Sequence, residues 1–94
     1  MDYYVLFYEV IDDYLERREK FREEHLKLVR GLYEQGNLLL GGALADPADQ
    51  VLIVFRTGNP DVIDDFVRRD PYVKNGLVVR WTIRPWMVAV GACN

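Results

Sequence analysis

The chain carries a single histidine, His25, within Phe21-Arg22-Glu23-Glu24-His25-Leu26. It lies four residues after Phe21, three before Leu28 and seven before Leu32, so a helix of period 3.6 puts the imidazole on one face with three apolar side chains. An inward imidazole with a partner to fix its tautomer is suited to taking a proton from a substrate at neutral pH. The other reading is structural, with His25 filling the core and bonded to a backbone carbonyl or a tyrosine hydroxyl.

Asp70 is the best carboxylate partner, sitting before Pro71 and Tyr72 where a second helix must end. It lies 45 residues from His25, so only the fold can bring the two together. Read structurally, Asp70 terminates a helix and accepts from nearby backbone donors. Arg22 precedes His25 by one turn, and Arg18 lies seven residues before it on the same face. Either arginine would hold a substrate anion or pair with Asp70. Ion pairing at the surface with Glu16, Glu23 or Glu24 is the ordinary alternative. Tyr4, Tyr8, Tyr14 and Tyr72 offer hydroxyls to a pocket, though packing between subunits explains tyrosines as well.

Other chemistries lack their residues. One histidine without a cysteine cluster gives no recognisable metal set. There is neither a G-x-G-x-x-G motif nor a Walker loop, and Gly41-Gly42 alone says nothing about phosphate. Serine is absent from the whole sequence, which removes a Ser-His-Asp nucleophile. Cys93 stands too near the C-terminus to be expected as one, and a lone cysteine allows no disulfide within the chain.

The 94 residues fit one domain, 1–94, whose core is thin enough for a partner subunit to help. Half of them are apolar, which excludes a disordered chain. With 15 acidic against 12 basic residues, the net charge of −3 argues against binding a nucleic-acid backbone. The N-terminus enters a strand pattern at once, without a signal-peptide composition, and no apolar run is long enough to span a membrane. The expectation is a soluble, cytoplasmic protein.

The elements that must hold the candidate residues follow from pattern. Residues 3–10 are apolar on both alternating sets, as in a strand buried on both faces. Asp12 and Asp13 offer a cap for one long, charged helix to about Gln35, closed by Gly36-Asn37. Leu38 to Ala45 reads as a second strand, whose Gly41-Gly42 marks a bulge or a close approach. Asp46 to Asp49 is a turn, and Gln50 to Thr57 a third strand. Asn59-Pro60-Asp61 starts the second helix, Asp70-Pro71 ends it, and 72–76 reads as a turn. Leu77 to Val90 is a last strand interrupted at Pro85, which implies an edge position or a bulge.

This βαββαβ order gives a ferredoxin-like α+β fold, a four-stranded antiparallel sheet with both helices on one face. The other face would then expose more apolar surface than soluble monomers tolerate, so a second copy is expected to cover it. Trp81 and Trp86 are assigned to core or interface.

Glu16-Arg17-Arg18, Arg22-Glu23-Glu24-His25-Leu26, Gly36-Asn37-Leu38-Leu39 with Gly42, Asp70-Pro71-Tyr72-Val73 with Gly76, and Arg84-Pro85-Trp86 resemble, in order, the YciI-like (YCII-related) family. The resemblance runs over essentially the whole chain, and R-x-x-H-L and D-P-Y-V are its most specific parts. It implies a dimeric α+β barrel with a His and Asp pair in a pocket between helices and sheet. Those catalytic roles fall on His25 and Asp70, with Arg18, Arg22, Tyr72 and Gly42 at substrate-binding positions. A related chlorohydroxyquinol dehydrochlorinase and the muconolactone isomerases imply proton abstraction from small cyclic compounds. The turn at 46–49 is short beside that of many members, so a loop contribution to substrate choice does not carry over.

The expectation is a homodimeric, cofactor-free and metal-free lyase or isomerase, with His25 as general base and Asp70 orienting it. Its rival is a non-catalytic module that binds a small molecule in the same pocket. A purely structural dimerisation domain would leave no cavity between helix and sheet.

Overall fold

The computed structural model describes residues 2–91. The first strand, β1 (Asp2–Val10), is followed by a short helix α1 (Tyr14–Arg17), a 3₁₀ turn at Arg18–Lys20 and the helix α2 (Arg22–Glu34). Then come β2 (Leu38–Ala43), β3 (Gln50–Thr57), α3 (Asp61–Arg69), the short helix α4 (Pro71–Lys74) and β4 (Val78–Trp86). The strands form one antiparallel sheet in the order β2-β3-β1-β4. This is the ferredoxin-like βαββαβ arrangement. Among the described residues, no helix is long and apolar enough to cross a membrane.

Register decides which side chains meet the helices. In β1, Leu6 and Tyr8 are fully buried on the helix-covered face, opposite Ile53 and Val51 of β3. Ile63, Phe66 and Val67 of α3 close on that face, and Tyr14 and Tyr72 fill the end nearest β2 and the 46–48 turn. The alternate residues Val5, Phe7, Leu52 and Val54 line a groove of about 570 Å³ on the opposite, uncovered face, together with Leu40 and Trp86. Leu40 and Trp86 are half or more exposed there, and Trp81 also remains at the surface of the edge strand β4.

The first helix departs from the single long element expected from the sequence. The chain breaks at Phe21, with φ −115° and ψ 0°, and its N–H donates to the Arg18 carbonyl at 2.9 Å. Residues 16–20 are all charged, so no apolar side chain holds a straight helix to the sheet there and the turn tightens. The last strand is also shorter than expected. Tyr3 pairs with Trp86, one residue from the start of β1, so Met87 onward has almost no β1 left to pair with. β2 likewise stops at Ala43, opposite Val51. Its register slips between Leu38 and Leu40, just before the paired glycines.

The segment 72–76 is mostly helix rather than turn. Pro71 opens α4, and Gly76 follows it at φ +78°, a left-handed conformation that glycine adopts without a steric penalty. The third strand spans 50–57 as the pattern predicts, and the proline at 85 does lie in an edge strand. Cys93, set aside as a nucleophile above, lies outside the described residues.

Leu6 sits at the centre of the sheet with no exposed surface. Leu6→Ala is expected to lower stability by about 2–5 kcal/mol, read from urea unfolding. A loss below about 1 kcal/mol, at the level of a tolerated core swap, would show that the core is not centred there.

Candidate active site

Asp70 occupies the joint between α3 and α4, where an extended residue (φ −68°, ψ 120°) must precede Pro71. Its side chain caps α4 by accepting from the Tyr72 backbone N–H at 3.0 Å. The same oxygen, Oδ1, lies 2.8 Å from His25 Nδ1. Its second oxygen, Oδ2, accepts from the Tyr8 hydroxyl at 2.8 Å. The two sequence readings of Asp70, helix terminator and histidine partner, are therefore both true of one carboxylate. It has no exposed surface, and three donors from three elements are what a buried carboxylate requires.

An ionised carboxylate only accepts, so Nδ1 carries the shared hydrogen and Nε2 is left as the proton-accepting nitrogen. His25 lines a cavity of about 620 Å³ from which Asp70 is absent. With Nδ1 held by Asp70, Nε2 has no hydrogen-bond partner among the described residues. The ring is clamped in this pose. Tyr72 stacks on it with centroids 3.8 Å apart and planes 11° from parallel, and Phe66 meets it edge-on at 6.3 Å. Tyr14 in turn packs edge-on against Tyr72 at 5.7 Å.

The cavity lies between the α1–α2 segment and the end of β2 with the turn after it. Its polar lining comes from Tyr14, Arg18, Arg22, His25, Asp46 and Tyr72. The apolar part includes Leu15, Leu26 and Val29 from the helices and Val51 and Ile53 from the sheet. Arg18 is mostly buried, with its guanidinium 5.3 Å from the centre of the Tyr14 ring. Burial raises the Tyr14 hydroxyl above its ordinary range, while the Arg18 side chain pulls the other way. Burial pushes Tyr72 up to about 12, and Tyr8 is raised further by burial and then by the Asp70 charge. All three therefore remain hydroxyl donors at neutral pH. Among the described residues, no group of three or more His, Cys, Asp and Glu gathers as a metal set.

The fold thus brings His25 and Asp70 into contact and sets Arg18, Arg22 and Tyr72 along the same cavity. Gly42 also lines it, but Gly42 pairs with Leu52 and a side chain there would point to the uncovered face. Gly41 pairs with Ile53 instead, and a Cβ on it would come within 3.2 Å of Ile53 Cγ1. Gly41 is therefore the glycine that keeps the cavity floor low. Alternation from Ile53 was the signal for that choice, once the strand register was known.

Tyr8 is the residue that sequence reasoning left undistinguished from Tyr4 and Tyr14. Only its place on the buried face of β1, opposite Asp70, singles it out.

Comparison with known proteins shows the family and the fold. The family model described as YCII-related domain matches residues 1–87. An uncharacterised protein of Haemophilus influenzae is 29% identical, the match covering 89% of this chain and 95% of that protein. Among solved structures, the chain is similar to 5-chloro-2-hydroxyhydroquinone dehydrochlorinase from Burkholderia phenoliruptrix, in complex with 2,5-dihydroxybenzoquinone. That match has a TM-score of 0.77 at 17% identity, covering 93% of this chain and 95% of that one. A NIPSNAP-like domain protein from Burkholderia xenovorans is similar at a TM-score of 0.62 and 15% identity, covering 98% of this chain and 88% of that one. At these identities the two structures speak for the fold alone.

Tyr8→Phe keeps the ring and removes one donor from a buried carboxylate, at an expected cost of about 1–3 kcal/mol in urea unfolding. The tyrosine protons also set an alkaline limit. Tyr72 is raised from 10.0 to about 12 in the fold, so the stability it contributes is complete below pH 10 and is lost as pH rises through 12. Tyr8, raised in the same direction, adds to the slope, and Tyr8→Phe should flatten it. A slope unchanged by the substitution would contradict the burial of the Tyr8 hydroxyl, the largest cause of its shift.

Proposed function

The chain belongs to the YCII-related family, and on that premise we propose that it is a cofactor-independent lyase or isomerase acting on a small molecule, with His25 as general base. The observation that carries this reading is the buried 2.8 Å contact between His25 Nδ1 and Asp70 Oδ1 at the wall of a cavity sized for a small ligand. Nε2 takes a proton from a carbon of the bound substrate. The electron pair left behind either expels a leaving group or moves the double bond. After expulsion the imidazolium loses its proton to solvent; after the shift it returns the proton to another carbon of the substrate. Asp70 holds the ring in the required tautomer and stabilises its positive form. Arg18 and Arg22 hold the substrate's anionic oxygen, and Gly42 contributes backbone to the wall.

Dehydrochlorination, the activity in the name of the similar Burkholderia phenoliruptrix structure, is an elimination of this kind. It supports the lyase branch. The alternative is a binding module that holds a small molecule in the same cavity without turning it over. Leu15, Leu26 and Val29 favour it, because they offer a binding surface that does not depend on the histidine.

The fold is the subunit fold of dimeric α+β barrel proteins. In this proposal the working unit is a homodimer in the cytoplasm, with the uncovered sheet face of one copy packed on that of another. The groove lined by Val5, Phe7, Leu52, Val54 and Trp86 supports it, since apolar surface of this extent is rarely left in water.

Against a panel of small phenols and lactones, His25→Ala should lower kcat by roughly 10²–10⁴-fold, with Asp70→Asn also impaired. Activity unchanged in both variants would remove the assigned roles, and ligand binding without turnover in the native protein would favour the binding module. Val54→Asp should convert the dimer into the 11.0 kDa monomer in light scattering. A dimer that survives the substitution would place the interface elsewhere.

A further inference from the structure

The cavity that holds His25 is lined by polar side chains that the protein leaves unpartnered. The Tyr72 hydroxyl and Arg18 Nε are both buried and have no hydrogen-bond partner in the protein. The nearest carboxylate to Arg18 Nε is Glu19, at 4.0 Å, too far for a hydrogen bond. Asp70 receives Tyr8, His25 and the Tyr72 backbone, and makes no bond to the Tyr72 hydroxyl. Arg22 adds a second guanidinium to the lining, and the carboxylate facing this cavity belongs to Asp46. Buried donors left without acceptors cost stability unless something else supplies the acceptor.

We propose that the missing acceptor is an oxygen of the substrate, and that Tyr72 and Arg18 form an oxyanion site beside the His25 base. This deepens the function proposed above and rests on it. It assigns a substrate class, small carbon acids whose acidic C–H is alpha to, or conjugated with, a carbonyl, cyclic dienones included. In the step concerned, the C–H bond breaks and its proton passes to His25 Nε2. The electron pair forms a carbon–carbon double bond, and the carbonyl π pair moves to oxygen as an enolate or phenolate. The Tyr72 O–H and the Arg18 N–H donate to that oxygen, where negative charge develops during the reaction. No oxidant or further reactant is needed. The stack of Tyr72 on His25 keeps the base and the oxygen donor at a fixed separation. Apolar side chains such as Leu26 and Val29 receive the carbon body.

The probe is 4-nitrophenol, whose anion is coloured and whose ionisation on the protein is read directly by absorbance. The native protein is expected to bind the anion and to favour it over the neutral phenol. Nitrobenzene, equal in shape but without the ionised oxygen, should not displace it. Tyr72→Phe retains the ring that stacks on His25 and should weaken anion binding by about tenfold or more. Arg18→Gln gives a second, independent variant with the same expected direction. Nitrobenzene binding as tightly as the anion, no anion binding by the native protein, or native affinity in both variants would overturn the oxyanion site. The base is judged separately, by turnover in His25→Ala, so the two readings fail on different measurements.

Discussion

One buried carboxylate constrains the rest of this molecule. Asp70 has no exposed surface, and a charge in that position survives only if every lone pair facing the interior finds a donor. The donors come from a strand, a helix and a backbone amide: Tyr8 of β1, His25 of α2 and the amide of Tyr72 in α4. The joint between α3 and α4, the phase of α2 and the register of β1 are therefore tied to one point. Function and stability are not separable at that point, since the groups that orient the imidazole also make the carboxylate tolerable in the core.

Much of this was legible in the sequence where the signal was local. The third strand, with five apolar residues among 50–57, and the Asn59-Pro60-Asp61 helix start depend on short-range chemistry, and both stand where the pattern puts them. Asn59 Oδ1 does accept from the Asp61 amide. The inward turn of His25 was legible from its spacing to Leu28 and Leu32. The pairing with Asp70 was not, because 45 residues separate them and only a topology argument joins them.

The misses are of the opposite kind. The break at Phe21 follows from which contacts the sheet offers, and a charged run such as 16–20 reads as helix in isolation. The end of β4 depends on where its partner strand begins. Tyr8 was indistinguishable from Tyr4 until the sheet register placed its hydroxyl at Asp70. Gly41 and Gly42 looked alike, yet alternation sends one toward the cavity and the other away from it. In each case the deciding quantity is a long-range distance, which composition and period do not carry.

The cavity inherits its character from these constraints. Tyr72 and Phe66 pack against the imidazole, Tyr14 packs on Tyr72 and the Arg18 guanidinium on Tyr14, so the pocket's polar end is rigid and rich in N–H and O–H groups. Its far side is built from the β2 backbone and the turn that follows, where the glycines leave room. Under the proposed function, such a site would discriminate by what a guest can accept more than by its volume.

Pro85 bears on a separate matter, how the sheet meets its neighbours. It stands in β4, at one margin of the sheet, opposite Tyr4. A residue without an N–H interrupts the row of bonds that an extra strand would need, so lateral growth into fibres is discouraged along that margin. Strand pairing between molecules is thereby disfavoured along β4, which leaves β2 as the margin open to it.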